Sequence, residues 1–108
     1  MFYAQLPLKP AMKQDTYRSG RIGTVHASFQ ELINVLGEPH DCSHEGEWYS
    51  SDKKIRAEWA FMINGDPDLI FTIYDFKSRH PIEQIKQWSL GGKNPRVKDA
   101  LSFLLKVE

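Results

Sequence analysis

Two stretches in the middle of the chain, "KIRAEWAFMI" (residues 54–63) and "LIFTIYDF" (69–76), leave little freedom in the choice of fold. In the first, Ile55, Ala57, Trp59, Phe61 and Ile63 alternate with Arg56, Glu58, Ala60 and Met62. That is the period of a strand with one face on a core. The second is rich in β-branched and aromatic residues, which suit a pleated, half-buried surface. Between them "NGDPD" concentrates the residues that reverse a chain, so the two read as a hairpin at the centre of a sheet. The alternation puts Trp59 in the core and sends Glu58 and Met62 to the opposite, solvated face.

The flanking elements follow from local signals. "RIGTVHAS" alternates weakly and reads as a strand. Ser28 then caps a helix, with Glu31 at capping-box spacing. Phe29, Leu32, Ile33 and Leu36 form its apolar stripe, and Gly37 ends it with Pro39 just beyond. In "IEQIKQWSL" the spacing of Ile82, Ile85 and Trp88 suits a helix, whereas its end suits a strand. A strand over 85–90 is preferred. Asn94 caps a last helix with Pro95 at its first position, and Val97, Ala100, Leu101 and Leu104 make its buried side. The order β-α-β-β-β-α predicts an α+β domain of two layers: a mainly antiparallel sheet of about four strands with both amphipathic helices on one face. Residues 1–20 show no clean period and are expected to be an extended arm, with 21–108 forming the single domain.

At 108 residues the chain has room for one such core. No apolar run approaches the ~18 residues of a membrane span, and the start "MFYAQLPLKP" lacks the make-up of a secretory signal. With Cys42 as its one cysteine, the chain forms no internal disulfide. These features predict a soluble protein of the cytoplasm with no membrane partner. Charge balances at 14 basic and 14 acidic residues, but unevenly. Lys9, Lys13, Arg18 and Arg21 sit near the start. Residues 22–52 hold no Lys or Arg, while Glu31, Glu38, Asp41, Glu45, Glu47 and Asp52 are all acidic. Proteins that bind a phosphate backbone are usually basic overall, so direct nucleic-acid binding is disfavoured. An acidic third would instead face a basic partner.

Leu36, Gly37 and Pro39; Lys54, Glu58 and Trp59; Thr72, Ile73, Tyr74, Asp75 and Lys77; and Trp88, Gly91 and Gly92 form a recognisable pattern. In these residues the chain resembles a family of small, mostly uncharacterised bacteriophage and prophage proteins. The likeness covers roughly residues 22–101, with Leu90 where Ile is usual and a longer hairpin turn. It implies a phage context, in a host cell cytoplasm, and a shared fold. It implies no reaction.

Three groups of residues are candidates for a site. "GEPHDCSHEGEW" places His40, Cys42 and His44 two residues apart, so an extended segment would project all three to one side. Zinc, however, usually needs a fourth ligand from a second pair elsewhere, and none is evident. A polar surface loop without metal is the preferred reading. Cys42 beside these histidines is likewise no convincing nucleophile, because reactive pairs are normally held by separate rigid elements. The second group is Tyr74, Lys77, Trp88, Gly91, Gly92 and Lys93. If the two glycines lead directly into the last helix, its free N–H groups would favour an anion, with the aromatics stacking a base. A tight turn that needs glycine is the plainer alternative. "GGKNP" is not a Walker motif. The third group, Glu38, Asp41, Glu45, Glu47 and Asp52, forms the acidic contact surface for a partner.

No catalytic constellation and no cofactor site emerges. The expectation is therefore a non-catalytic accessory protein of phage type that binds and inhibits a host protein, in an anti-defence or host-takeover role. The alternative is a protein that sequesters a nucleotide-like small molecule. A homodimer formed through the sheet becomes the better account if both sheet faces prove buried.

Overall fold

In the computed structural model the described residues are 8–10, 20–39, 41–42, 57–76 and 80–108, with only the backbone described at 41 and 42. Among them the chain forms one antiparallel sheet and two helices. The strands are β1 (Leu8–Pro10), β2 (Gly20–His26), β3 (Asp41–Cys42), β4 (Ala57–Ile63), β5 (Ile70–Tyr74), β6 (Gln87–Gly92) and β7 (Lys106–Val107). The helices are α1 (Phe29–Leu36) and α2 (Arg96–Leu101). Across the sheet the order is β1-β4-β5-β6-β2-β7, with β3 pairing β4 beside β1. The α+β class holds, but the strand count does not. The reason is physical: β1, β3 and β7 are two or three residues long and join the sheet by backbone pairing, which leaves no period in the sequence. β1 also draws part of the expected arm into the sheet, with Leu8 opposite Ile63 and packed on the core.

The central hairpin forms as the alternation dictates, with Trp59 opposite Ile73 and Phe61 opposite Phe71. Its turn is built by Asn64 and Gly65, both at positive φ (57° and 68°). This is the left-handed pair that matches the twist of flanking strands. The middle of the sheet is nevertheless β5 and β6, one strand over from the expected centre. β6 starts two residues later than predicted, because Ile82–Gln84 coil into a 3-10 turn first. Both readings of that segment thus contain part of the answer.

One face of the sheet carries the core. Ala57, Trp59, Phe61, Ile63, Phe71, Ile73, Trp88, Leu90 and Val25 join Leu32 and Leu36 of α1 and Val97 and Leu101 of α2 in a single buried cluster. The capping box of α1 is complete: Ser28 Oγ accepts from Glu31 N–H (3.1 Å) and Glu31 Oε1 accepts from Ser28 N–H (3.0 Å). Two tryptophans clamp the same helix from below. Trp88 Nε1–H donates to the Ala27 carbonyl (3.0 Å) ahead of its first turn, and Trp59 Nε1–H donates to the Gly37 carbonyl (2.8 Å) beyond its last. The two indoles meet edge to face at 5.4 Å, and Phe29 packs on both. The sheet therefore fixes α1 at both ends through side chains that also fill the core.

The opposite face departs from the expected solvated surface. Ala60, Ile70 and Thr72 at its centre are buried, and Met62, Glu58, Tyr74, Ser89 and Thr24 around them are half-buried. Alternation along β4 predicted the direction of these side chains correctly. It could not predict how much cover that face receives.

Candidate functional site

Among the described residues, the second sheet face brings together two members of the predicted ligand group, Tyr74 and Gly91. Cross-strand register sets Glu58 beside Tyr74, Tyr74 beside Ser89, and Ser89 beside Thr24. One pleat further on, Thr72 lies beside Gly91, and Gly91 beside Arg21. Arg21 donates from its guanidinium to Thr24 Oγ1 (2.7 Å). Burial raises the Tyr74 phenol above its ordinary pKa; Arg21 works against that shift and Glu58 adds to it. Phe76, half exposed, stands edge-on to the Tyr74 ring at 6.3 Å. The result is a face of hydroxyls and aromatic surface, with Arg21 on one side of Tyr74 and Glu58 on the other.

The glycine pair differs from its expected role. Gly91 and Gly92 lie inside β6 and do not open a helix; residues 93–95 separate them from α2. Asn94 Oδ1 accepts the Arg96 N–H (3.0 Å) at the start of that helix. What requires glycine is packing on both sides of the sheet. A Cβ at Gly91 would stand 2.5 Å from Thr72 Oγ1 and 3.3 Å from the Tyr74 ring. At Gly92 it would press on Ile22 Cδ1 (3.0 Å) and the Ile70 carbonyl (3.1 Å). Gly91→Ala should accordingly destabilise the fold by about 1–3 kcal/mol, the usual range for overpacking. Thr72→Ala in the same chain should recover part of that loss in urea unfolding. A Gly91→Ala variant as stable as the parent would remove this account of the glycine.

Trp88 is corrected as well. It is 1% exposed and faces the core, on the opposite side of the sheet from Tyr74, so it does not stack a ligand beside Tyr74. Of the ligand set, Tyr74 and Gly91 come together, Gly92 serves the core side, Lys93 is exposed past the strand end, and Lys77 lies outside the described residues. Arg21 was missed, because its place beside Gly91 depends on a pairing 70 residues apart in sequence.

The acidic group is described only in part. Glu38 is exposed after α1, and Asp41 sits in register with Glu58 at the β3–β4 edge. Glu45, Glu47 and Asp52 lie outside the described residues, as do His40 and His44, and Cys42 is described by its backbone alone. Among the described residues no three His, Cys, Asp or Glu gather in a way that could hold a metal ion. Asp75, 1% exposed, serves the fold, since its Oδ1 accepts the Ala57 N–H (2.8 Å) at the start of β4.

Where β2 passes into α1 an open cleft of about 460 Å³ is lined by His26, Ala27, Ser28, Glu31, Lys86 and Gln87. Three of its polar groups are engaged with other partners. Ser28 and Glu31 close the helix cap, and His26 Nε2 meets Glu108 Oε1 at 2.7 Å. The histidine and the serine do not address each other, so they do not form a base–nucleophile pair here. Among the described residues no helix is long and apolar enough to cross a membrane. The chain matches no family model, no curated protein and no solved structure.

Gly37 receives the Trp59 indole, Asp75 holds the start of β4, Trp88 holds the entry to α1, and Gly91 and Gly92 admit their neighbours' side chains, so these five residues are joints of the fold.

Proposed function

We propose that this chain is a small non-catalytic accessory protein of phage type that binds and inhibits a host macromolecule, most simply a protein of the host cytoplasm. The observation that carries this reading is the register of Asp41 with Glu58. It sets Asp41 beside a second acidic residue on the β4 side of the sheet, where β1 contributes Lys9, while Arg21 and Lys106 lie on β2 and β7 and Lys98 on α2 close to Gly23. An acidic pair next to a segment rich in acidic residues suits a basic partner surface, since complementary charge speeds encounter and selects against wrong partners. The phage resemblance supports the context, and the engagement of His26, Ser28 and Glu31 in contacts of the fold supports a role without chemistry.

Reversal of Glu45 and Glu47 to Lys should weaken capture of a specific protein from host lysate by at least about tenfold, a loss of roughly 1.4 kcal/mol. Capture that survives the reversal unchanged, or a lysate that yields no specific partner, would count against the proposal. A second reading, sequestration of a nucleotide-like molecule, is favoured by the meeting of Tyr74, Gly91 and Arg21. Its site would be the second sheet face and not the start of α2. Native mass spectrometry of the purified protein tests it, and a ligand-free spectrum together with no thermal shift across a nucleotide panel would remove it.

A further inference from the structure

Among the described residues, the outer edge of β2 is paired over only part of its length. β2 has seven residues, whereas β7 has two and pairs only at Val25 and His26. Just beyond β7, Glu108 exchanges both backbone hydrogen bonds with Thr24, each 2.8 Å, and its carboxylate meets His26. Gly23 completes the seat, because a Cβ there would strike the Glu108 carbonyl oxygen and press on Lys98 Cε. Along residues 20–23 no other described strand lies on that edge. Unpaired strand edges recruit further strands, and native proteins guard them with short strands, bulges and charges. All three devices meet here: β7 is short, the register of β2 shifts between Arg21 and Gly23, and Arg21, Lys98 and Lys106 stand around it.

We propose that residues 106–108 are an autoinhibitory guard over the β2 edge, and that the surface they cover pairs with β2 of a second copy of the chain. The choice of partner follows from Thr24. Its N–H and C=O both point outward, as the two bonds to Glu108 require, so it can pair with itself across a two-fold axis. Antiparallel pairing about Thr24 sets Gly23 opposite Val25, Ile22 opposite His26 and Arg21 opposite Ala27, with no like charges facing. The seven residues of β2 offer a longer ladder than the guard supplies. The Glu108 contact adds little, since its side chain is 68% exposed and exposed ion pairs contribute little, so the guard is held mainly by its backbone pairing and by Val107 against the core. Leu105, buried in the core, keeps the residue before the guard in place, so only residues 106–108 need to part from β2.

Two full-length variants test this. Glu108→Pro removes the N–H that Thr24 accepts together with the carboxylate that His26 meets, and Gly23→Ala fills the seat. In the parent, hydrogen exchange should find the Thr24 amide protected, and light scattering should give the mass of one chain. In both variants the mass should rise towards two chains with concentration, with Thr24 protected only in the dimer. Thr24→Pro added to Glu108→Pro should abolish that dimer. Variants that expose the Thr24 amide yet stay monomeric at every concentration would overturn the self-pairing. An amide still protected in monomeric Glu108→Pro would overturn the guard, and a dimer that survives Thr24→Pro would place the contact elsewhere. Should Gly23→Ala fail to fold, Glu108→Pro carries the test alone, because it alters only an exposed residue.

Discussion

Replacing Trp59 with alanine should cost about 3–5 kcal/mol of folding stability, the range for removing a large aromatic from a packed core. The residue is fully buried, and it contributes more than volume. It supports the Trp88 ring at 5.4 Å and Phe29 at 5.9 Å, and its N–H is a partner of the Gly37 carbonyl at the end of α1. The truncation therefore opens a cavity and loosens one end of the helix in a single step. For a small domain a loss of that size is a large share of the total stability. Urea unfolding should show a lowered midpoint with little change in slope. Met62→Ala, on the half-buried second face, should cost less, about 1–2 kcal/mol, because only part of the side chain is removed from packing. Equal losses at the two positions would mean that the second face is packed as tightly as the core. A sheet-mediated dimer would then displace the picture of that face as a binding surface.

How far the sequence anticipated this fold depends on the range of the interactions that decide each element. α1 was legible almost to the residue, because its cap, stripe and terminating glycine are local signals that the structure satisfies with local bonds. The hairpin was legible for the same reason: alternation along the first strand and β-branched and aromatic residues in the second, on either side of the turn cluster NGDPD. What escaped depends on partners distant in sequence. β3 is recognisable only through Asp41 and Cys42 pairing with Glu58 and Ala57, and β7 only through β2. The cover over Ala60, Ile70 and Thr72 likewise has no signature in the strands that carry those residues.

The candidate site shows the same division. Tyr74 and Gly91 were singled out for the wrong structural reason, a helix start that the glycines do not form, yet the sheet brings them together. Gly91 is small because Thr72 and Tyr74 occupy the space its side chain would need. The sequence marks such a glycine without revealing which neighbour demands it. Arg21 illustrates the converse. Nothing around it in the chain distinguishes it from any surface arginine, and only the β2–β6 register sets it beside Gly91.

Trp88 separates a fold signature from a binding site most sharply. As a ligand-stacking residue it could be truncated with little harm to the fold and a large loss of binding. As the structure has it, Trp88→Ala should cost about 3–5 kcal/mol, because a nearly fully buried indole leaves the centre of the core. The entry to α1 would suffer too, since the Ala27 carbonyl loses the indole N–H that meets it at 3.0 Å. Trp88→Phe divides the two contributions. It keeps most of the ring contact with Trp59 and Phe29 but leaves a buried carbonyl without that donor, a cost of about 1–3 kcal/mol. Circular dichroism with urea titration should rank the proteins as parent, then Trp88→Phe, then Trp88→Ala. Tyr74→Ala provides the contrast from the other sheet face, where the side chain is only half-buried and the loss should be smaller than at Trp88. A Trp88→Ala protein as stable as the parent would make the indole a candidate ligand contact again. The expected order would instead leave Trp88 as the residue that joins helix to sheet.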